Sequence, residues 1–153
     1  MFRCIQRVLK DFRELANNDT NFIRLVPSDD NDTMKRFCVE IDGPVGTPYH
    51  TGKFIVQVTL PPNYPYDPPK VKMVTAVWHP NISTGGKICV DVLQEEWYPG
   101  CSLLEILEAM RGLLCTPNPD SPLNIEAASM FRNDRATYQA ITLAYCSTFA
   151  NGK

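Results

Sequence analysis

Histidine is nearly absent from this chain: His50 and His79 are the whole supply. That is too few to complete a finger-like zinc site with the six cysteines, Cys4, Cys38, Cys89, Cys101, Cys115 and Cys146, which are scattered and form no Cys-x-x-Cys pair. No metal or redox cofactor is expected. A strong excess of charge of one sign is missing too. A formal charge of −2 without a long basic run leaves no electrostatic footprint for nucleic acid. Long apolar runs are lacking as well, since Met1-Phe2-Arg3-Cys4-Ile5-Gln6-Arg7 is broken by charge. Neither a signal peptide nor a membrane span is therefore expected, and the compartment should be cytoplasmic or nuclear. There the cysteines stay reduced, and most should pack as small buried hydrophobes. The Asn-x-Ser/Thr triplets at Asn18, Asn31 and Asn81 then read as chance matches rather than glycosylation sites. Internal repeats and linkers are also absent. The 153 residues suit one domain that buries roughly 70% of its unfolded-chain surface, and a monomer is expected in the absence of an unexplained apolar stripe.

What is present is periodicity. Ile5, Val8, Leu9, Phe12 and Leu15 follow helical offsets, while Arg3, Arg7, Lys10 and Arg13 fall largely off that stripe, which predicts an amphipathic opening helix with a basic face. Strands are predicted at Phe22–Val26, Arg36–Ile41, Lys53–Leu60 and Val71–Val74, as an antiparallel meander. Five prolines between Pro61 and Pro69 remove ladder donors and fix φ, so that stretch must be a stiff irregular loop. Ser102-Leu103-Leu104-Glu105 matches a capping box, and Leu103, Ile106, Leu107, Met110, Leu113 and Leu114 then supply the apolar face of a buried central helix. The proline-rich break Thr116–Pro122 ends it. Two further helices are predicted at about Leu123–Met130 and Asp134–Thr148. The order is that of an α+β domain: a helix, four antiparallel strands, an irregular loop, a central helix and two C-terminal helices.

Chemistry concentrates in the irregular loop. His79-Pro80-Asn81 stands eight residues ahead of Cys89, within Gly86-Lys87-Ile88-Cys89-Val90-Asp91, and Trp97-Tyr98-Pro99 begins eight residues beyond it. Taken alone, a cysteine among Ile88, Val90 and Val92 is a packing residue. Its setting includes Gly43-Pro44, Thr47-Pro48-Tyr49, Tyr64-Pro65, Pro68-Pro69-Lys70, Pro117-Asn118-Pro119-Asp120 and Pro122-Leu123. In this order, over nearly the whole chain, these segments resemble the ubiquitin-conjugating enzymes.

The resemblance implies that family's fold, a cis bond at Tyr64-Pro65, and a reaction. Cys89 would accept ubiquitin or a ubiquitin-like modifier from an activating enzyme as a thioester, then pass it, with a ligase, to lysines of a substrate protein. Sulfur suits the task, because a thiolate is a strong nucleophile near neutral pH. His79 and Pro80 would order the loop. Asn81 would donate to the oxyanion of lysine attack or hold the loop through backbone bonds. Ser121 falls at the gate position, with Asp120 as a helper, although Asp120-Ser121-Pro122 also reads as a plain turn and helix start. By the same matching, Arg7 and Lys10 would dock the activating enzyme. Tyr66, Tyr98 and Pro99 would engage ligases or, more simply, cap the edge of the core.

Three rival readings differ in what they require. Gly46 to Gly52-Lys53 imitates a phosphate-binding loop, but the spacing is one residue too long and Phe54 stands where Ser or Thr should bind magnesium. A non-catalytic ubiquitin-binding module of the same fold would have lost the cysteine, which is retained. A conjugating enzyme for the cullin-type modifier is suggested by Asp67-Pro68-Pro69-Lys70-Val71-Lys72 and by Pro122-Leu123-Asn124 with Glu126-Ala127-Ala128. Those enzymes usually carry an N-terminal extension before the first helix, so ubiquitin is the favoured modifier. The short step from Cys89 to Trp97 argues against the SUMO branch. Arg24 falls near the position where several ubiquitin-loading members carry a serine for backside binding.

Overall fold

The apolar periodicities meet in one sheet with helices against it. The computed structural model describes residues 2–17, 22–26, 35–88 and 97–151, with side chains from Gln6 onward. Among these residues are α1 (Phe2–Ala16), β1 (Ile23–Leu25), β2 (Arg36–Asp42), β3 (Lys53–Thr59), β4 (Lys70–Met73), α2 (Leu103–Cys115), α3 (Ile125–Asn133) and α4 (Arg135–Phe149). The strands pair in sequence order, β1-β2-β3-β4, all antiparallel. The register sets Phe37 against Val58, Val39 against Val56 and Ile41 against Phe54, so alternate residues of both central strands enter the core. α2 supplies the opposing layer through the six apolar residues that its pattern picked out, all of them buried.

The capping box forms as its chemistry requires. Ser102 Oγ accepts from Glu105 N at 3.1 Å and Glu105 Oε2 accepts from Ser102 N at 3.3 Å, which satisfies two donors that a helix start leaves open. α3 begins two residues later than its apolar pattern suggests. The N–H groups of Leu123 and Asn124 both donate to Pro80 O, at 2.8 and 3.0 Å, and hold Leu123 outside the helix while Asn124 caps it. Asp134 likewise stays outside α4, where its side chain accepts from Thr137 N at 3.2 Å and Thr137 Oγ1 at 2.6 Å.

The opening helix departs from its predicted stripe on both flanks. Val8, Phe12 and Leu15 pack on the core, but Leu9 is 41% exposed and Asp11 only 1%. At 3.6 residues per turn Leu9 lies about 60° beyond Phe12, on the solvent side, whereas Asp11 falls on the opposite flank next to Leu15. Its carboxylate is tolerated there because Arg7 Nε donates to it at 2.9 Å and Tyr64 Oη–H donates as well.

Gly86 joins the sheet to the functional loop. It sits at φ +91°, and an added Cβ would fall 2.2 Å from Met73 O, while its own carbonyl accepts from Met73 N at 2.9 Å. Gly86→Ala is expected to lose at least ~2 kcal/mol of stability in urea denaturation. Gly85→Ala, whose nearest neighbour would be Ser83 Oγ at 3.8 Å, should change it by less than about 0.5 kcal/mol.

Candidate functional site

The tripeptide His79-Pro80-Asn81 is buried, with His79 at 0% and Asn81 at 1% exposure, and each of its residues grips a different element. α2 ends in a local defect that explains the first grip. Leu113 O would accept from residue 117, but Pro117 has no N–H, so that carbonyl is left open at the helix end. His79 Nε2–H donates to it at 2.8 Å, and His79 Nδ1 accepts from Asn81 N at 2.9 Å. These two bonds fix the tautomer. Burial, only partly opposed by the bond to Leu113, pushes the imidazole down to about 4, so it is neutral at physiological pH and is not poised as a general base.

Pro80 O caps the start of α3, as described above. Asn81 takes hold of the third element, the 117–122 loop. Its Nδ2 donates to Asn118 O at 2.7 Å and Ser121 O at 3.1 Å, and its Oδ1 accepts from Asn118 N at 2.8 Å. Between those anchor points lies Asp120, whose N–H donates to Asn118 Oδ1 at 3.1 Å and whose side chain is 78% exposed and ion-paired with Arg132 of α3. Ser121 is half-buried. Beneath the tripeptide, Tyr49 Oη–H donates to Trp78 O at 2.6 Å and contacts Tyr138 Oη at 2.5 Å. Burial raises the Tyr49 phenol well above its ordinary value, so it keeps its proton and acts as a permanent strut.

Cys89 lies outside the described residues; the described chain runs as far as Ile88, which bridges to Ile82 just beyond the tripeptide. Of the other cysteines, Cys101 and Cys146 are buried, and burial pushes their thiols up to about 12 and about 11. They are packing sulfurs. Cys115 is exposed and Cys38 half-buried, while Cys4 lies outside the described side chains.

The structure separates the residues predicted to dock partners into two groups. Tyr66 and Tyr98 are 71% and 57% exposed, and Pro99 is exposed beside Tyr98, so these residues stand out from the core. Behind them the two tips are braced together, since Trp97 Nε1–H donates to Pro65 O at 2.9 Å and the Tyr64 and Trp97 rings lie 5.7 Å apart. The Tyr64-Pro65 bond is cis. Lys10 is exposed. Arg7 differs: it is half-buried, bound to Asp11, and donates to the carbonyls of Pro99 and Cys101. Its guanidinium works as an internal tie between α1 and the Tyr98 tip.

Two other sequence signals resolve structurally. Gly52-Lys53 leads into β3 rather than a helix, so it cannot present the helix N-terminus that a phosphate-binding loop needs. Arg24 is held by Glu40 and Asp42 across the strand pair. Hydrogen bonds to these carboxylates raise its guanidinium still further above the ordinary range. Sequence reasoning missed Asp11 and Arg132. The i, i+4 spacing of Arg7 and Asp11 offered a signal for the first, but nothing local marks the second.

A helix on the sheet edge, a four-stranded meander, a central helix and a buried loop that clamps three elements together define the class to which known proteins can be compared. The family model described as ubiquitin-conjugating enzyme matches residues 7–146. Ubiquitin-conjugating enzyme E2 27 of Arabidopsis thaliana is 37% identical over 150 residues, which cover 97% of this chain and 76% of that protein. A crystal structure from Plasmodium yoelii, assigned as a ubiquitin conjugating enzyme, superposes with a TM-score of 0.91 at 37% identity, covering 99% of this chain and 97% of that one. The E2 domain of a Toxoplasma gondii ubiquitin conjugating enzyme gives 0.86 at 33% identity, over 95% and 99% of the two chains. The chain belongs to the ubiquitin-conjugating enzyme family, a family of transferases.

Proposed function

We infer that this protein carries ubiquitin as a thioester on Cys89 and transfers it, with a ligase, to lysines of substrate proteins. The observation that carries the reading is the three-way grip of His79-Pro80-Asn81 on α2, α3 and the 117–122 loop. It fixes the gate residues relative to a loop that leads, within eight residues, to Cys89. Loading exchanges one thioester for another: the Cys89 thiolate attacks the modifier's C-terminal carbonyl, a new C–S bond forms, and the activating enzyme's thiolate departs. Unloading breaks that bond. The lysine amine attacks the same carbonyl, a C–N bond forms, Cys89 leaves as thiolate, and the amine loses a proton to solvent or a nearby base. ATP is consumed by the activating enzyme.

A lysine amine, with an ordinary pKa of about 10.4, reaches this step mostly protonated and hydrated, so the site must orient and desolvate it. That role is assigned to Ser121 at the gate, on the loop that Asn81 holds. His79 is not, because both ring nitrogens are occupied and the ring is buried. Docking of the activating enzyme falls to Lys10 on the exposed face of α1, with Arg7 holding that helix in place. Tyr66, Tyr98 and Pro99 form the surface offered to ligases, as exposed aromatics on braced loops suit an interface anchor.

Charging in the presence of ATP tests the reading. Wild type and Cys89→Ala are each incubated with ubiquitin and its activating enzyme and, in parallel, with the cullin-type modifier and its own. A thiol-sensitive adduct is expected on wild type with ubiquitin and none on Cys89→Ala. An adduct with only the cullin-type modifier would reassign the pathway, and an adduct that survives Cys89→Ala would remove Cys89 as the carrier.

A further inference from the structure

Asp120 of the 117–122 loop and Arg132 of α3 form an ion pair at the surface. We propose that Arg132 is a positioning residue for lysine transfer: it pairs with Asp120 and keeps the gate electrically neutral, so that a cationic acceptor is not drawn in by a bare carboxylate. The inference rests on the thioester reading of Cys89 given above. It also stands on geometry. Asp120 lies between the two residues whose carbonyls Asn81 holds, Asn118 and Ser121, so its backbone is fixed relative to the tripeptide. Arg132 projects from the last turn of α3, whose first turn is capped by Asn124, itself bound to Pro80 O. Both partners are therefore tied to the same loop, by different routes.

A cation in the last turn of a helix has an ordinary role, offsetting the helix dipole. Here the guanidinium reaches instead across twelve residues to a carboxylate beside the gate. With side chains 52% and 78% exposed, the pair adds little to stability. Its effect lies in what it presents to solvent, a net charge of zero where Asp120 alone would present −1. At contact distances in water a unit charge attracts an ammonium group enough to change a rate severalfold. The attraction fades with salt, because the screening length falls from about 10 Å at 0.1 M to about 3 Å at 1 M.

The test measures discharge of preformed thioester to free lysine, which is cationic, and to hydroxylamine, which is neutral, for wild type and for Arg132→Lys, Arg132→Gln and Arg132→Glu. Relative to wild type, Arg132→Gln is expected to speed lysine discharge about threefold at low salt and Arg132→Glu more, with the gain shrinking at 0.5 M salt. Arg132→Lys should match wild type. Hydroxylamine discharge should be the same for all four proteins, and charging should be unaffected. Equal changes with both nucleophiles would mean that Arg132 only shapes the loop, and no change with either would mean that it does nothing at the gate; each result overturns the proposal. Failure of wild type to form any thioester would instead overturn the Cys89 reading, and this inference with it.

Discussion

Asn81→Ala is expected to slow lysine transfer from charged Cys89 by on the order of 10²-fold, to leave charging in place, and to lower stability by about 1–2 kcal/mol. Two accounts of Asn81 predict the rate effect, but only one predicts the loss of stability. Its amide hydrogens are both committed, to Asn118 O and Ser121 O, and its oxygen to Asn118 N. To serve an oxyanion, Nδ2 would have to release one of the carbonyls that hold the 117–122 loop. The clamp is thus the ground-state role, and its loss leaves the 117–122 loop, with Asp120 and Ser121 on it, without its anchor. Single-turnover discharge and urea denaturation on the same samples separate the two. A large rate loss at unchanged stability would transfer the role to oxyanion stabilisation, and unimpaired transfer would remove Asn81 from the catalytic step. Asn81→Asp sharpens the contrast, because it keeps the acceptor for Asn118 N but sets a carboxylate against two carbonyls.

Acid should destabilise the fold through His79. The folded imidazole is depressed by burial to about 4, whereas an unfolded histidine titrates near 6.5. Because the folded value is the lower one, protons bind the unfolded state first. The stability tied to neutral His79 is complete above about pH 6.5 and drains away as pH falls toward 4, a change on the order of 3 kcal/mol. Denaturation midpoints across this window should fall more steeply for wild type than for His79→Gln, which lacks the titration; carboxylates contribute to both proteins and cancel in the comparison. Parallel slopes would mean that His79 is not held neutral in the folded protein.

Local chemistry was the part of this molecule legible in its sequence. The Ser102–Glu105 capping box, the six-residue apolar face of α2 and the alternation of β2 and β3 all depend on residues within a few positions of one another. Errors arose where a distant group intervened. The apolar pattern makes Leu123 helical, but Pro80 O takes its N–H and that of Asn124. The periodicity puts Leu9 in the core, but the buried residue is Asp11, which is satisfied in part by Tyr64, 53 residues away. For the site, the resemblance marks the tripeptide as a loop-ordering element, and the proline-rich break marks only where α2 stops. That His79 would bond the Leu113 carbonyl was not readable, because the spacing of 34 residues is closed only by the fold. Arg7 shows the limit of residue matching: its type and place fit a docking cation, yet its hydrogen bonds point inward.

The inward tie of Arg7 also bears on how the chain acquires its shape during synthesis. Each strand pairs with its sequence neighbour, so the sheet can close through short loops as it emerges from the ribosome. The first helix cannot finish docking so early, because the Cys101 carbonyl that anchors Arg7 is made 94 residues later. At ordinary elongation rates this is a delay of roughly 5–20 s. Throughout that interval α1 can rest its Phe12 side on the sheet but lacks the tie to the Pro99 and Cys101 carbonyls that holds it in the finished fold.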